Sequence, residues 1–152
     1  WSKNSVPYVD GDGVAVTGSI LSSAHTTRGD TWQVIVTPSD GDEDGADIVL
    51  STSIANALPA IDSSLIALDP LNANGDTDVS VTISSLAVSD ADGDTVQFSY
   101  VWQVGTLTLG DETSSTLTST YYNAGDTVTV SVTPYDGYDY GVAVTKSLTI
   151  GN

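Results

Sequence analysis

The chain has no cysteine and no methionine, one histidine, one phenylalanine and three basic residues among its 152. Lack of cysteine excludes a disulfide framework, a zinc-thiolate site and a thiol nucleophile. It does not fix the compartment. No apolar run approaches the ~18 residues that a membrane-spanning helix needs. The chain opens at Trp1 without a signal peptide, so we expect a removed leader or an excerpt of a longer polypeptide. Glutamate is almost missing too: of 20 acidic residues, only Glu43 and Glu112 are not aspartate. Helical surfaces favour Glu and Lys, whereas Asp favours turns and metal loops. The formal net charge of −17 sets the surface against phosphate backbones and anionic lipids, and makes divalent cations the natural partners. Nucleic-acid binding and membrane insertion are not expected.

What the sequence has in quantity is strand vocabulary: 20 Ser and 20 Thr, with Thr, Val, Ile and Tyr filling the alternating stretches. An internal repeat organises it. Arg28-Gly29-Asp30-Thr31-Trp32-Gln33-Val34-Ile35-Val36-Thr37-Pro38-Ser39-Asp40-Gly41 matches Ala124-Gly125-Asp126-Thr127-Val128-Thr129-Val130-Ser131-Val132-Thr133-Pro134-Tyr135-Asp136-Gly137. The register continues from Ile54-Ala55-Asn56 to Ile150-Gly151-Asn152, and upstream Trp1 meets Trp102. The copies lie about a hundred residues apart, the size of one sandwich domain. We therefore expect residues 1–57 to be the C-terminal half of one repeat and 58–152 to be a complete one. The first copy lacks the counterparts of Pro59–Val101, which we expect in preceding sequence or in a neighbouring subunit.

In the second copy Val96, Phe98, Tyr100, Trp102 and Val104 alternate with polar or smaller residues, predicting a half-buried strand with Trp102 inward. Val128, Val130 and Val132 alternate with Thr and Ser. Val142, Val144, Leu148 and Ile150 predict the last strand, and Ile61–Leu68 the first. Val79, Val81 and Ile83 slip parity before Leu86 and Val88, which predicts a bulge at Ser84-Ser85. No stretch has a helical period. About seven short strands with a buried Trp on the third predict an all-β fold of tandem Ig-like Greek-key β-sandwiches, the first incomplete.

Ser89-Asp90-Ala91-Asp92-Gly93-Asp94, running on through Tyr100-Val101-Trp102, resembles the D-x-D-G-D … Y-x-W segment of bacterial cadherin-like, PKD-like and Ig-like tandem repeats in large surface adhesins. Gly125-Asp126-Thr127 through Asp136-Gly137 and the closing Thr149-Ile150-Gly151-Asn152 resemble the second half of those repeats. The resemblance implies an exported, cell-surface, calcium-binding stalk. Its partners would be neighbouring repeats of the same protein or neighbouring subunits, and cell-surface glycans.

Asp90, Asp92 and Asp94 alternate around a glycine turn and can converge on one hard cation. In an Ig-like sandwich the B–C and F–G loops share an end. That topology would bring Asp136 and Asp139 of the F–G loop, and Asp62 near the linker, to the same Ca²⁺ site at the interdomain end. A solvated acidic turn is the competing reading. Asp40, Asp42, Glu43 and Asp44 would form at most an incomplete site. Asp10-Gly11-Asp12 reads as a hairpin turn. Arg28-Gly29-Asp30 spells an adhesive tripeptide, but the second copy shows Gly-Asp to belong to the turn. His25 has no nucleophile elbow around it, so no catalytic residue is assigned. Tyr135, Tyr138 and Tyr140 suit either glycan stacking or packing against a neighbouring domain. Lys146 has inward parity, which calls for a carboxylate partner or a Lys–Asn crosslink unless a bulge turns it outward. The expected function is a structural or adhesive stalk segment. A self-assembling filament subunit and a carbohydrate-binding module are the alternatives.

Overall fold

A computed structural model describes residues Trp1–Asn152. The chain is all-β, with short 3-10 turns and no α-helix, and it divides into two units, Trp1–Asn56 and Ala57–Asn152.

The second unit is a β-sandwich. After β1 (Ser2–Lys3), β2 (Val6–Pro7), β3 (Thr31–Val36) and β4 (Ile48–Ser53) of the first unit, the second unit's strands are β5 (Ala60–Ile61), β6 (Ile66–Asp69), β7 (Val79–Ile83), β8 (Val88–Ser89), β9 (Gln97–Val104), β10 (Leu107–Leu109), β11 (Thr116–Leu117), β12 (Thr127–Tyr135) and β13 (Val144–Thr149). One sheet has the order β10-β9-β12-β13 and the other β11-β7-β6, with β5 pairing β8. The chain crosses between sheets from β8 to β9 and from β11 to β12, which is Greek-key wiring. Period-2 alternation decides what is buried. Val128, Val130 and Val132 on β12 and Trp102 on β9 are wholly buried, facing Leu68, Val79 and Leu117 of the other sheet. Full burial of a Val or Leu contributes about 1.5–3 kcal/mol.

Two expected strands are corrected. Ile61–Leu68 is not continuous: a 3-10 turn at Ser63–Leu65 separates β5 from β6. The parity slip is a 3-10 turn at Ser85–Ala87 rather than a bulge. The physical reason is local capping. Asp62 Oδ1 accepts from Ser64 N (2.9 Å) and Ser84 Oγ from Leu86 N (3.3 Å). These side chains satisfy the turns' amides and compete with the ladder. The two turns are also joined, through Asp62 N to Ala87 O and Ser84 N to Leu65 O, so both strands break at one level. Val142 lies outside the last strand, 81% exposed.

The first unit is one sheet, β2-β1-β3-β4, from β1 (Ser2–Lys3), β2 (Val6–Pro7), β3 (Thr31–Val36) and β4 (Ile48–Ser53). Asn4 and Ser5, both at positive φ, form the two-residue turn of a β1–β2 hairpin, the conformation that matches strand twist. The repeat holds at the level of single bonds. Gly29 N to Ile54 O recurs as Gly125 N to Ile150 O, and Gly45 N to Pro38 O as Gly141 N to Pro134 O. The indole of Trp1 donates to Gly18 O at 3.0 Å, and that of Trp102 to Ser114 O at 2.9 Å. What differs is cover. Val132 is wholly buried, whereas its counterpart Val36 is 48% exposed.

Candidate metal centre

The β8–β9 connection is built around Asp90. Its Oδ1 accepts from the backbone amides of Asp92 and Asp94, each at 3.0 Å. Gly93 N bonds Asp90 O, with Gly93 at φ 78°, a conformation natural to glycine. This winding brings the carboxylates of Asp90, Asp92 and Asp94 together, with ligand oxygens no more than 4.8 Å from one another. Asp90 and Asp94 are half-buried and Asp92 is exposed. Asp90 Oδ2 is buried and accepts no hydrogen bond. Asp92 Oδ2 accepts from Ala57 N at 2.8 Å, fastening the loop to the first residue of the unit.

The Asp10 turn is an internal control. Asp10 Oδ1 accepts from Asp12 N (3.0 Å) and Val14 N (2.9 Å), and Gly13 has φ 77°. The backbone cradle is therefore the same, and a cradle alone is a turn device. The loop at Asp90 adds a third carboxylate where the other has Val14, and adds a buried carboxylate oxygen without a donor.

These residues fit a hard cation. The donors are carboxylate oxygens only, which suit Ca²⁺, Mg²⁺ or Mn²⁺ rather than softer metals. Calcium–oxygen distances of roughly 2.3–2.6 Å let one ion reach oxygens on opposite sides up to about 5 Å apart. The 4.8 Å limit lies within that span. Three like charges at this spacing repel unless solvated or neutralised.

The other expected ligands do not join the group of three. Asp62 caps its 3-10 turn, accepting from Ser64 N and Ser64 Oγ. The Ser64 bonds, with the nearby Lys146 charge, hold its carboxyl below the usual range. Lys146 is half-buried. Asp136 is buried and turns its Oδ1 onto the amides of Tyr138 (2.8 Å) and Asp139 (2.7 Å). Asp139 sits in the same turn, accepting from Asp136 N through its backbone carbonyl. Asp40 repeats that geometry with the amides of Glu43 and Asp42, which lower its pKa.

The remaining motifs resolve structurally. Asp30 of Arg28-Gly29-Asp30 is 7% exposed and paired with Lys3 at 2.7 Å, and Arg28 donates to Asn56 Oδ1, so the tripeptide is not displayed. His25 Nδ1 lies 3.3 Å from the Tyr8 hydroxyl. The rings of Tyr135 and Tyr140 stack at 4.5 Å, and Tyr138 and Tyr140 are each 62% exposed. Two features of the Asp90–Asp94 loop had no sequence signal: the Ala57 amide on Asp92, and the buried oxygen of Asp90. Both depend on how the loop folds against the rest of the unit. In comparisons with protein-family models, curated proteins and solved structures, nothing matches this chain.

Proposed function

We propose that this chain is a non-catalytic, structural or adhesive stalk segment of an extracellular surface protein, and that its second sandwich is stabilised by Ca²⁺ held by Asp90, Asp92 and Asp94. The observation that carries the reading is the convergence of three carboxylates with one buried carboxylate oxygen left without a donor. A cation supplies the missing positive partner. Because Asp92 also holds Ala57 N, a bound cation fixes the loop against the residue at which the chain enters the sandwich. In a tandem array that turns a pliant entry segment into a stiffer one. The resemblance of Ser89–Trp102 to surface-adhesin repeats supports the same reading, as does the net charge of −17, which favours divalent cations over polyanions.

The test is thermal unfolding of the full chain with calcium and with EDTA. A ligand at ~100 times its dissociation constant adds about 2.7 kcal/mol. Asp90→Asn keeps the acceptor for the two amides but removes the charge, so it should abolish the calcium shift. Asp10→Asn, in the matching turn, should leave it intact. An unchanged midpoint in calcium, or equal effects of the two variants, contradicts the proposal. The exposed Tyr138 and Tyr140 favour a second reading, glycan stacking, which a glycan-array comparison of the wild type with Tyr138→Ala and Tyr140→Ala tests.

A further inference from the structure

The first unit presents an apolar face that is covered at Trp32, wholly buried with the rings of Trp1 and Tyr8 against it, and open at Val36, Ile48 and Leu50. It borders a groove of about 600 Å³ lined by Trp1, Trp32, Val34, Val36 and Leu50. Val36, Leu50 and Ile48 are 48%, 59% and 56% exposed. An apolar patch of this kind marks an interaction surface, and the repeat identifies the chemistry of its occupant. The equivalent face of the second unit carries Trp102, Val130 and Val132, all wholly buried, and the segment that buries them includes β6 and β7.

The edge gives the register. In the second unit β11 pairs with β7, Thr116 opposite Ser80 and Leu117 opposite Val79. Val81 N donates to Ser115 O, and Ser119 N to Asp78 Oδ1. The matching edge of the first unit is Ile20–Leu21. No strand pairs with it, Ile20 is exposed where its counterpart Thr116 is half-buried, and Leu21 is half-buried where its counterpart Leu117 is wholly buried. An open edge beside an open apolar face is the arrangement that accepts an added strand. The fixed end is already in place, since Trp1 makes the same indole-to-carbonyl bond as Trp102.

We propose that the apolar face of residues 1–56 is the docking surface for a segment of the repeat's own type, equivalent to Ala57–Val101. Its β7-like strand pairs antiparallel with Ile20–Leu21, and its Val79- and Val81-like side chains lie over Val34 and Val36. This does not depend on the metal reading, and its test is run in EDTA.

Because Trp1 corresponds to Trp102, fusing residues 57–101 directly before Trp1 of the full chain reproduces the covalent order of the complete repeat. Hydrogen exchange of the amides of Thr31–Val36 is compared in the chain with and without the fusion. Protection should rise by about tenfold or more, and binding of an apolar dye should fall. A second fusion carrying Val79→Asp and Val81→Asp in the added segment alone should give neither effect. The added segment lies outside the original chain, so failure of that variant to pack leaves the reference protein intact. Unchanged exchange in the first fusion overturns the proposal, as does equal protection by both fusions. Concentration-dependent dimerisation of the unfused chain that persists in the first fusion also overturns it, because a second copy would then be the occupant.

Discussion

Replacing Trp102 tests the sandwich at the point where its two sheets are tied. Trp102 is wholly buried on β9, and its indole N–H donates at 2.9 Å to Ser114 O in the segment leading into β11 of the opposite sheet. Trp102→Ala removes a large core side chain, which typically costs about 3–5 kcal/mol. A domain of this size has about 5–15 kcal/mol in total, so roughly a fifth or more of the stability goes. Trp102→Phe is the sharper perturbation. It keeps an aromatic ring but removes the donor from a part-buried bond to the Ser114 carbonyl, at up to about 1–3 kcal/mol. Trp1→Phe breaks the corresponding bond to Gly18 O in an exposed setting. Water can replace the donor there, so the cost should be near or below the ~0.5–1.5 kcal/mol net value of an ordinary hydrogen bond. Urea unfolding followed by circular dichroism gives the midpoints, with hydrogen exchange assigning each change to its unit. The reasoning fails if Trp102→Phe lies within ~0.5 kcal/mol of wild type, the range of an ordinary surface substitution, or if Trp1→Phe costs as much as Trp102→Phe.

Gly141→Ala should destabilise the second unit by about 1–3 kcal/mol, the usual overpacking cost. A Cβ there would stand 1.9 Å from Pro59 O and 2.8 Å from Pro134 Cγ; a melt equal to wild type would show that this approach is not made. Asp30 should titrate below the ordinary carboxylate range, because the Lys3 ammonium hydrogen-bonds it, with Thr27 N and Asn4 adding to the effect. A depressed folded pKa adds stability above the unfolded value of ~3.9 and loses it as pH falls through the folded pKa. Acidification below about pH 4 should therefore loosen the first unit, and Asp30→Asn should flatten that limb. A carbon-detected NMR titration placing Asp30 at or above the ordinary value would contradict this.

Much of the fold is legible in the sequence because period-2 alternation at Val128–Val132 and Phe98–Trp102 leaves one face to bury. The bond-level repeat was legible too: a shared Gly-Asp turn reads the same in sequence and in space. The broken first strand was not. Ile61–Leu68 carries enough apolar residues to read as continuous, and only the pairing of Asp62 with Ser64 and the joined turn at Ser85–Ala87 reveal the interruption. The Asp90–Asp94 loop was visible as a spacing of carboxylates around Gly93. Spacing alone does not separate it from the Asp10 turn, whose backbone is nearly identical. What separates them is Asp94 in place of Val14, and the burial of one oxygen of Asp90. Asp62, Asp136 and Asp139 were grouped with the loop by topology. Asp62 and Asp136 each have a local turn to cap, and short side chains satisfy adjacent amides before they reach across a loop end.

Isothermal titration of the EDTA-stripped full chain with calcium reads cation binding at Asp90, Asp92 and Asp94 without unfolding the protein. A saturating isotherm is expected, which Asp90→Asn abolishes and Asp10→Asn preserves. Absence of binding heat at all calcium concentrations, accompanied by an unchanged melting midpoint, would contradict it. An isotherm identical in wild type and Asp90→Asn would contradict it equally, by placing the cation elsewhere on the acidic surface.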